Sequence, residues 1–348
     1  MRYLVLAAIG ALASILANKG IAVFNDGFRP IVPQFYDGQI SRKELATMSF
    51  AISFGLVIGF AIPTSIAASI ILIHCILLTT DIIGTFCPDS LVGTVIAGVV
   101  GAAYGVAILL GLESIVNLFG SLPFNFLANL GSVSSYITAA FAIFPAVAVG
   151  YQHGFKKGAV AGLITLVVYL LTVKFGKFAL GEAKVALNGF GMAMLAGMVC
   201  LLVFATGVKG TGDANSSLVT TFGDKVKRIR SNWWLLAIMG GLVAMATSLG
   251  IVAGDPISLG LVSEGSWAEA AMVALARAIG FVPLVFTTAI VTGVYGPAGS
   301  TFVFVVGLLL HGNPFVAVIV GAVVMVVELA LINVFAKGMD KFPGMKDM

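Results

Sequence analysis

The residues best suited to chemistry lie in a polar break directly after the first apolar stretch. Phe24-Asn-Asp26-Gly27-Phe-Arg29-Pro30 places a carboxylate and a guanidinium between hydrophobic segments. A charged group near hydrocarbon costs about 2.5–3.5 kcal/mol on insertion scales, so such groups persist where they face a cavity, pair or bind a ligand. Gly27 and Pro30 disfavour a regular helix, and irregular backbone at membrane depth must be buried or line a cavity. The pattern indicates a binding site; the alternative is an interfacial loop whose charges cap helix ends.

Other polar side chains stand inside or at the ends of the apolar stretches, and each is a candidate for binding or ion coupling. Thr79-Thr80-Asp81 suits a cation, a polar substrate or an ordinary helix end. Between residues 111 and 135, amides and hydroxyls alternate with aromatics, which suits a re-entrant segment or an amphipathic surface helix. A similar polar break spans residues 287–301. The candidates for substrate binding are Asp26, Arg29, Asp81, Asn125, Arg277 and Thr288, and those for ion coupling are Glu113 and Glu328.

The two candidate arginines are expected to hold an anionic group. A guanidinium matches a carboxylate or phosphate with two parallel hydrogen bonds, whereas Lys supplies only a point charge. Glu328 lies in an apolar run where an unpaired carboxylate would be destabilising, and Arg277 is its expected partner. A structural ion pair is the alternative to a coupling role for Glu328.

Motifs for metal binding, nucleotide hydrolysis and nucleophilic catalysis are missing from the sequence. It contains no Gly-x-x-x-x-Gly-Lys-Ser/Thr loop, no His-Glu-x-x-His and no Cys-x-x-Cys, and its three histidines are widely separated. We therefore expect no metal, no cofactor and no enzymatic activity.

Composition determines the class of protein that must position these residues. Of the 348 residues, 59% are hydrophobic and 10% are charged, and the mean hydropathy is +1.10. Soluble domains carry roughly 25% charged residues, so this composition excludes them. The apolar stretches are mostly long enough to cross a ~30 Å hydrocarbon core as helices. The predicted fold is an all-α, polytopic transmembrane helix bundle.

Hydropathy and charge give a predicted topology for this bundle. The tenth apolar segment, 299–311, rises only about 20 Å as a helix, which indicates a broken helix or a re-entrant hairpin. Most Lys and Arg lie in the loop after the first span, at 153–158, at 208–232 and in the tail, which predicts that these face the cytoplasm. The net charge of +4 gives no support to nucleic-acid binding. We predict spans near residues 3–24, 45–62, 64–80, 91–112, 132–152, 159–175, 189–207, 233–253, 276–296, 299–311 and 314–335.

The polar stretch 208–232 divides the chain into a predicted N-terminal bundle (1–207) and C-terminal bundle (233–348), joined by a basic cytoplasmic linker. Transporters built from repeats carry broken segments at matching places in both halves. The predicted matching pair is 28–33 and 277–285, with chance resemblance as the alternative. If the chain is a transporter, the turn at 26–33 and the break at 287–301 should meet at a common cavity.

Five segments spread over the chain carry distinctive motifs. They are Val23-Phe-Asn-Asp26-Gly27-Phe-Arg29-Pro30-Ile-Val-Pro33, Thr80-Asp81-Ile-Ile-Gly84, Leu122-Pro123 through Leu130-Gly131, Phe141-Ala-Ile-Phe144-Pro145, and Arg277-Ala-Ile-Gly280-Phe-Val-Pro283 through Thr292-Gly-Val-Tyr295. On these motifs the chain resembles the YhfT family of bacterial inner-membrane proteins, described as probable transport proteins. The resemblance implies a small polar solute, amino-acid-like or phosphorylated. Family members continue past the position of Lys346, so we expect a shorter version or half of a split protein.

Together, the residues and the resemblance predict a multi-pass protein of the bacterial inner membrane. Its expected function is that of a secondary transporter or permease subunit for a small polar, anionic metabolite. The alternatives are a non-catalytic membrane subunit that docks a partner through residues 208–232, and a channel. The expected partners are the lipid bilayer, the solute, and a further membrane subunit or a second copy of the chain; nucleic acid is not expected.

Overall fold

The computed structural model describes residues 1–122, 126–180, 183–206 and 226–339. These residues are predominantly helical, which confirms the predicted all-α class. Asn125, most of the predicted 208–232 linker and the tail after Met339 lie outside the described residues, so the predicted division into two bundles and a linker stays a prediction.

The main α-helices are named here in chain order. The first six are α1 (Arg2–Asn18), α2 (Val32–Tyr36), α3 (Arg42–Leu56), α4 (Ile62–Ala68), α5 (Ile73–Phe86) and α6 (Leu91–Gly120). The middle three are α7 (Phe126–His153), α8 (Phe155–Phe175) and α9 (Gly189–Thr206). The last five are α10 (Trp233–Ser248), α11 (Pro256–Ser263), α12 (Trp267–Thr292), α13 (Phe302–Leu309) and α14 (Pro314–Met339). The short strands are β1 (Ile71–Leu72), β2 (Lys177–Leu180), β3 (Ala183–Ala186) and β4 (Val252–Ala253), of which β2 and β3 form an antiparallel hairpin.

Several helices have the length and composition of membrane spans. Among the described residues, α3 with α4, α6, α8 and most of α14 are long and apolar enough to cross a membrane, and α12, bent by 42° near Pro283, is a fifth if counted as one span. The most apolar window of α8 is only 17% buried, so its outward face suits lipid chains. The predicted boundary between spans 45–62 and 64–80 is wrong. A π-helical turn at Val57–Ala61 directly before Pro63 carries the helix on to Ala68.

Helices α1, α4, α10 and α12 are each followed by a left-handed residue and then extended chain. The left-handed residues are Gly20, Ser69, Gly250 and Gly293, with φ between 56° and 69°. We call the segments that follow them the first break (20–25), second break (69–72), third break (250–255) and fourth break (293–301). Hydropathy missed the first three of these ends, because the residues within those breaks are themselves largely apolar, whereas the fourth break lies within the polar stretch predicted at 287–301.

The four breaks pair in parallel, the first with the fourth and the second with the third. Ala22 lies opposite Tyr295, and the Tyr295 amide donates to the Ile21 carbonyl at 3.0 Å. Ile71 lies opposite Val252, and its amide donates to the Ile251 carbonyl at 3.1 Å. In both pairs the bridging residues stand two positions after their left-handed residues. Each break therefore finds hydrogen-bond partners in the other half of the chain.

Close packing of small residues repeats in the same way. A side chain added at Gly101 of α6 would strike the Gly10 carbonyl of α1, and one added at Gly321 of α14 would strike the Gly240 carbonyl of α10. Gly10 and Gly240 each precede the glycine of their own break by ten residues. Residues 2–120 and 233–339 thus contain two copies of one helix arrangement.

The two copies run in opposite directions. The guanidinium of Arg228, just before α10, donates to the Lys19 carbonyl at the end of α1. At the other end, Gly250 after α10 shares a pocket with Arg2 at the start of α1. Helices α1 and α10 are therefore antiparallel, and the copies form an inverted repeat. The predicted matching pair, 28–33 with 277–285, is not the corresponding pair, because the breaks that correspond are 20–25 with 250–255 and 69–72 with 293–301.

Replacing Gly10 by Ala tests the contact on which this packing depends. The added methyl group would overlap the Gly101 carbonyl, so the free energy of unfolding should fall by about 1–3 kcal/mol. The measurement is thermal unfolding of the purified protein in detergent. Gly111→Ala on α6 is the matched control, because no described atom lies within 4 Å of its added methyl group. Equal stability of the two variants would contradict close packing of α1 on α6.

Candidate functional site

One cavity of about 240 Å³ is lined by residues from all four breaks or from positions next to them. Asp26 and Arg29 follow the first break, His74 follows the second, Gly254 belongs to the third, and Thr301 ends the fourth. The turn at 26–33 and the break at 287–301 therefore meet at a common cavity, as predicted. Aromatic and aliphatic side chains complete its wall, among them Phe24, Leu56, Leu78, Phe281, Val285 and Phe304.

Arg29 enters this cavity from a short 3-10 turn that Pro30 helps to start. Its side chain is 3% exposed, its Nη2 lies 2.8 Å from the Asp26 carboxylate, and its Nε donates to the Val23 carbonyl at 3.4 Å. The Nη1 group has no partner among the described residues. Gly296 makes room for the guanidinium, since an added Cβ there would lie 2.9 Å from Nη2.

Arg277 reaches the same cavity from α12. Its Nη1 donates to the Gly254 carbonyl at 2.7 Å and lies 3.5 Å from Asp255, whose side chain also caps α11 by accepting from the Ser258 amide. Its Nε and Nη2 groups lack partners within the described part of the chain. The predicted pairing of Arg277 with Glu328 is wrong, because the third break brings Asp255 and a backbone carbonyl to the guanidinium first.

The two guanidiniums give the cavity an unusual set of hydrogen-bond donors. Three buried guanidinium nitrogens, Nη1 of Arg29 and both Nε and Nη2 of Arg277, have no acceptor among the described residues. A buried donor without an acceptor lowers the stability of the folded protein by about 1–3 kcal/mol, and by more when the donor is charged. A carboxylate or phosphate would satisfy such donors with charge-assisted hydrogen bonds, so the arrangement suits a small anion.

Asp81 positions the first break and does not line the cavity. Its carboxylate, 1% exposed, accepts hydrogen bonds from the Phe24 amide at 3.0 Å and from the Asn25 amide at 2.9 Å. The Asn25 side chain in turn donates to Ser53 on α3 at 3.0 Å. Asp81 therefore fixes the backbone that leads into Asp26 and Arg29.

Glu328 holds the fourth break in a comparable way. The Tyr295 hydroxyl and the Ser300 amide donate to its Oε2 atom at 2.6 and 2.8 Å. The carboxylate oxygen would overlap any side chain at Gly299, which is why the turn requires a glycine with a φ of 59° there. Carboxylates of α5 and α14 thus anchor the breaks that lead into the cavity.

Comparison with known proteins places the chain in a family. The family model described as "YhfT: Protein of unknown function" matches residues 2–348. The "Uncharacterized protein YhfT" of Escherichia coli (strain K12) is 33% identical over 363 residues, which cover the whole of this chain and 81% of the relative. This chain belongs to the YhfT family. No solved structure matches it.

The remaining predicted site residues of this YhfT-family protein lie elsewhere. Glu113 accepts a hydrogen bond from the Tyr3 hydroxyl at 2.6 Å and lines a separate pocket with Arg2. The Thr288 hydroxyl donates to the Leu284 carbonyl of its own helix at 2.7 Å, and Thr288 is not among the described residues of the cavity wall. Asn125 lies outside the described residues. The tertiary structure therefore brings together Asp26, Arg29 and Arg277, with Asp81 and Glu328 behind the wall.

Sequence reasoning missed His74 in the cavity wall and Asp255 behind it. His74 was not among the predicted site residues, and its ring packs edge-on against Phe24 and Phe60, at 4.9 and 5.5 Å between ring centres. Asp255 was not singled out. The sequence feature that could have pointed to Asp255 is a repeated motif, Gly20-Ile-Ala-Val and Gly250-Ile-Val-Ala, each directly after an apolar helix. Asp255 ends the break that the second copy begins.

A double-mutant cycle tests the observed pairing of Arg277 with Asp255. Asp255→Asn should destabilise the fold by about 3–5 kcal/mol, because it leaves a buried guanidinium without its carboxylate. Combined with Arg277→Gln, the two changes should show a coupling energy of at least about 1 kcal/mol in reversible unfolding in mixed micelles.

The control cycle pairs Arg277→Gln with Glu328→Gln. These two changes should add to within about 0.5 kcal/mol, because the side chains bind different partners. A larger coupling of Arg277 to Glu328 than to Asp255 would contradict the structure.

Proposed function

We propose that this protein is a secondary transporter, or the solute-binding subunit of a permease, for a small polar anion. The observation that carries the proposal is the cavity where buried Arg29 and Arg277 present three nitrogen donors that have no acceptor in the described part of the chain. A volume of about 240 Å³ suits a small metabolite, because it lies below the roughly 300–1,000 Å³ of pockets for drug-sized ligands. The proposal includes no enzymatic activity.

The arrangement of the breaks supports transport over a static binding role. Carriers built from inverted repeats place their substrate where discontinuous helices meet, and they expose this site alternately to the two membrane faces. Here the first and fourth breaks pair toward the Lys19 end of α1, and the second and third pair toward its Arg2 end. Movement of one copy against the other would change access to the cavity between them.

The proposed location is the bacterial inner membrane, with multiple crossings. Arg42 and Arg228 both contact the carbonyl end of α1, where Arg42 donates to the Asn18 carbonyl and Arg228 to the Lys19 carbonyl. Positive residues concentrate on cytoplasmic loops of inner-membrane proteins, so this end faces the cytoplasm in our proposal. The start of α1 then faces the outside.

The first experiment is a thermal-shift screen of the purified full chain against carboxylate and phosphate metabolites. A ligand that binds only the folded state raises its apparent stability by mass action. For any anion that does so, Arg29→Lys and Arg277→Lys should weaken binding by roughly ten- to a hundredfold. The reason is that each loses charge-assisted hydrogen bonds of about 1.5–3 kcal/mol. Arg230→Lys is the control, since Arg230 is exposed and lies outside the described cavity wall.

Uptake of the same anion into proteoliposomes then separates the remaining functions. Accumulation above the external concentration identifies a coupled transporter, whereas equilibration without accumulation identifies a channel. If no anion stabilises the protein, or if Arg29→Lys binds as tightly as Arg230→Lys, the proposed site is wrong. Failure of uptake together with a stable co-purifying membrane protein would favour the subunit alternative.

A further inference from the structure

Glu328 has an oxygen that the structure does not use. Its Oε2 atom accepts from the Tyr295 hydroxyl and the Ser300 amide, but its Oε1 atom has no partner among the described residues. The residue is 3% exposed, and no described Lys, Arg or His lies within 4.0 Å of its carboxylate. A buried carboxylate in this state is strongly destabilising unless a cation or a proton accompanies it.

The fourth break carries two further hydroxyls that make no well-formed hydrogen bond among the described residues. The Ser300 hydroxyl, on a fully buried residue, interacts with the Tyr295 hydroxyl, and the Thr301 hydroxyl is buried although part of the residue is accessible. Thr301 has a φ of 74°, a left-handed conformation that a β-branched residue rarely adopts. Such strained residues cluster at ligand sites, where the surrounding structure maintains them. Thr301 also lines the anion cavity.

The charges around the cavity favour a bound cation. Three buried carboxylates, those of Asp81, Asp255 and Glu328, accompany two buried guanidiniums, those of Arg29 and Arg277, within the described chain. Asp26, half exposed, adds a further negative charge at the cavity wall. An anionic solute would increase this excess, so its binding is favoured when a cation enters with it.

We propose that the fourth break forms a sodium site beside the anion cavity, with Glu328 Oε1 and the hydroxyls of Ser300 and Thr301 as ligands. Unwound segments of discontinuous helices supply oxygen ligands to coupling ions in repeat-built carriers. The residues between Gly296 and Thr301 are non-helical, so their carbonyls are free of a regular helical ladder. This inference rests on the proposed transport function and names its coupling ion.

Sodium accounts for the cluster better than a proton does. A proton on Oε1 would neutralise the carboxylate but would need only one acceptor, leaving another hydroxyl oxygen unused. A hard cation takes several oxygen ligands at once, so it would use the Glu328 oxygen together with the two hydroxyl oxygens of the turn that Glu328 holds through the Ser300 amide. No described group of three or more His, Cys, Asp or Glu residues could hold a metal ion, so a multivalent metal site is not part of the proposal.

The test measures thermal unfolding of the purified full chain, without any solute, in sodium chloride and in choline chloride at equal ionic strength. Sodium should raise the unfolding temperature of the wild type, and Glu328→Gln should abolish this shift. Ser300→Ala should increase the sodium concentration needed for half of the shift, and it covers the case in which Glu328→Gln does not fold. Glu113→Gln is the matched control, because Glu113 bonds to Tyr3 outside the cavity, and it should keep the full shift.

Each result bears on the sodium site separately from the anion site. Arg29→Lys should retain the sodium-dependent rise in unfolding temperature. The sodium test can therefore be interpreted even if no anion binds, and the anion screen can be interpreted even if sodium has no effect. A wild type that responds to pH but not to sodium would overturn the proposal in favour of a proton at Glu328. Loss of the sodium shift in Glu113→Gln, or its persistence in both Glu328→Gln and Ser300→Ala, would overturn it as well.

Discussion

The structure depends on satisfying the backbone hydrogen bonds of four interrupted helices. Each interruption leaves amides and carbonyls without intrahelical partners, and hydrocarbon offers no water to replace them. The protein supplies two parallel bridges, Ala22 with Tyr295 and Ile71 with Val252. Asp81 and Glu328 then accept from amides of the first and fourth breaks. Because each bridge joins one half to the other, the requirement that stabilises the breaks also assembles the two copies.

The cavity follows from this assembly. Non-helical backbone leaves amides and carbonyls outside a helical ladder, which makes the meeting point of the breaks polar. Gly254, Gly296 and Gly299 line it without side chains, which leaves it open. Arg29 and Arg277 can enter it because Gly296 and Gly254 have no side chains to obstruct the guanidiniums. Their pairing with Asp26 and Asp255 reduces the free-energy penalty of burying charge but leaves donors free. In our proposal, those free donors are the reason that both arginines are present.

Small residues allow the copies to retain the same geometry. Gly10 against Gly101 and Gly240 against Gly321 bring α1 onto α6 and α10 onto α14 at backbone contact. In lipid, such contact gains dispersion energy without relying on the hydrophobic effect, which does not distinguish one apolar helix from another. The paired helices are therefore packed closely, and they fix the positions of the broken segments that follow α1 and α10. Helices α7, α8 and α9 have no counterpart in this repeat among the described residues. They pack on one another, and α9 also packs on α12 while α7 packs on α4.

The amino-acid sequence by itself determined the all-helical class, because apolar composition and stretch length are properties of local transfer free energy. Its motifs also indicated the YhfT family, and its charged residues near Asp26 and Arg277 marked one common site. Only the tertiary structure decided where α1 and α10 end, because hydropathy measures transfer to lipid and does not report backbone conformation. It also decided that Arg277 meets Asp255 while Glu328 meets Tyr295 and Ser300. Sequence shows that a charge is buried, but its partner depends on which distant segments the inverted repeat brings into contact.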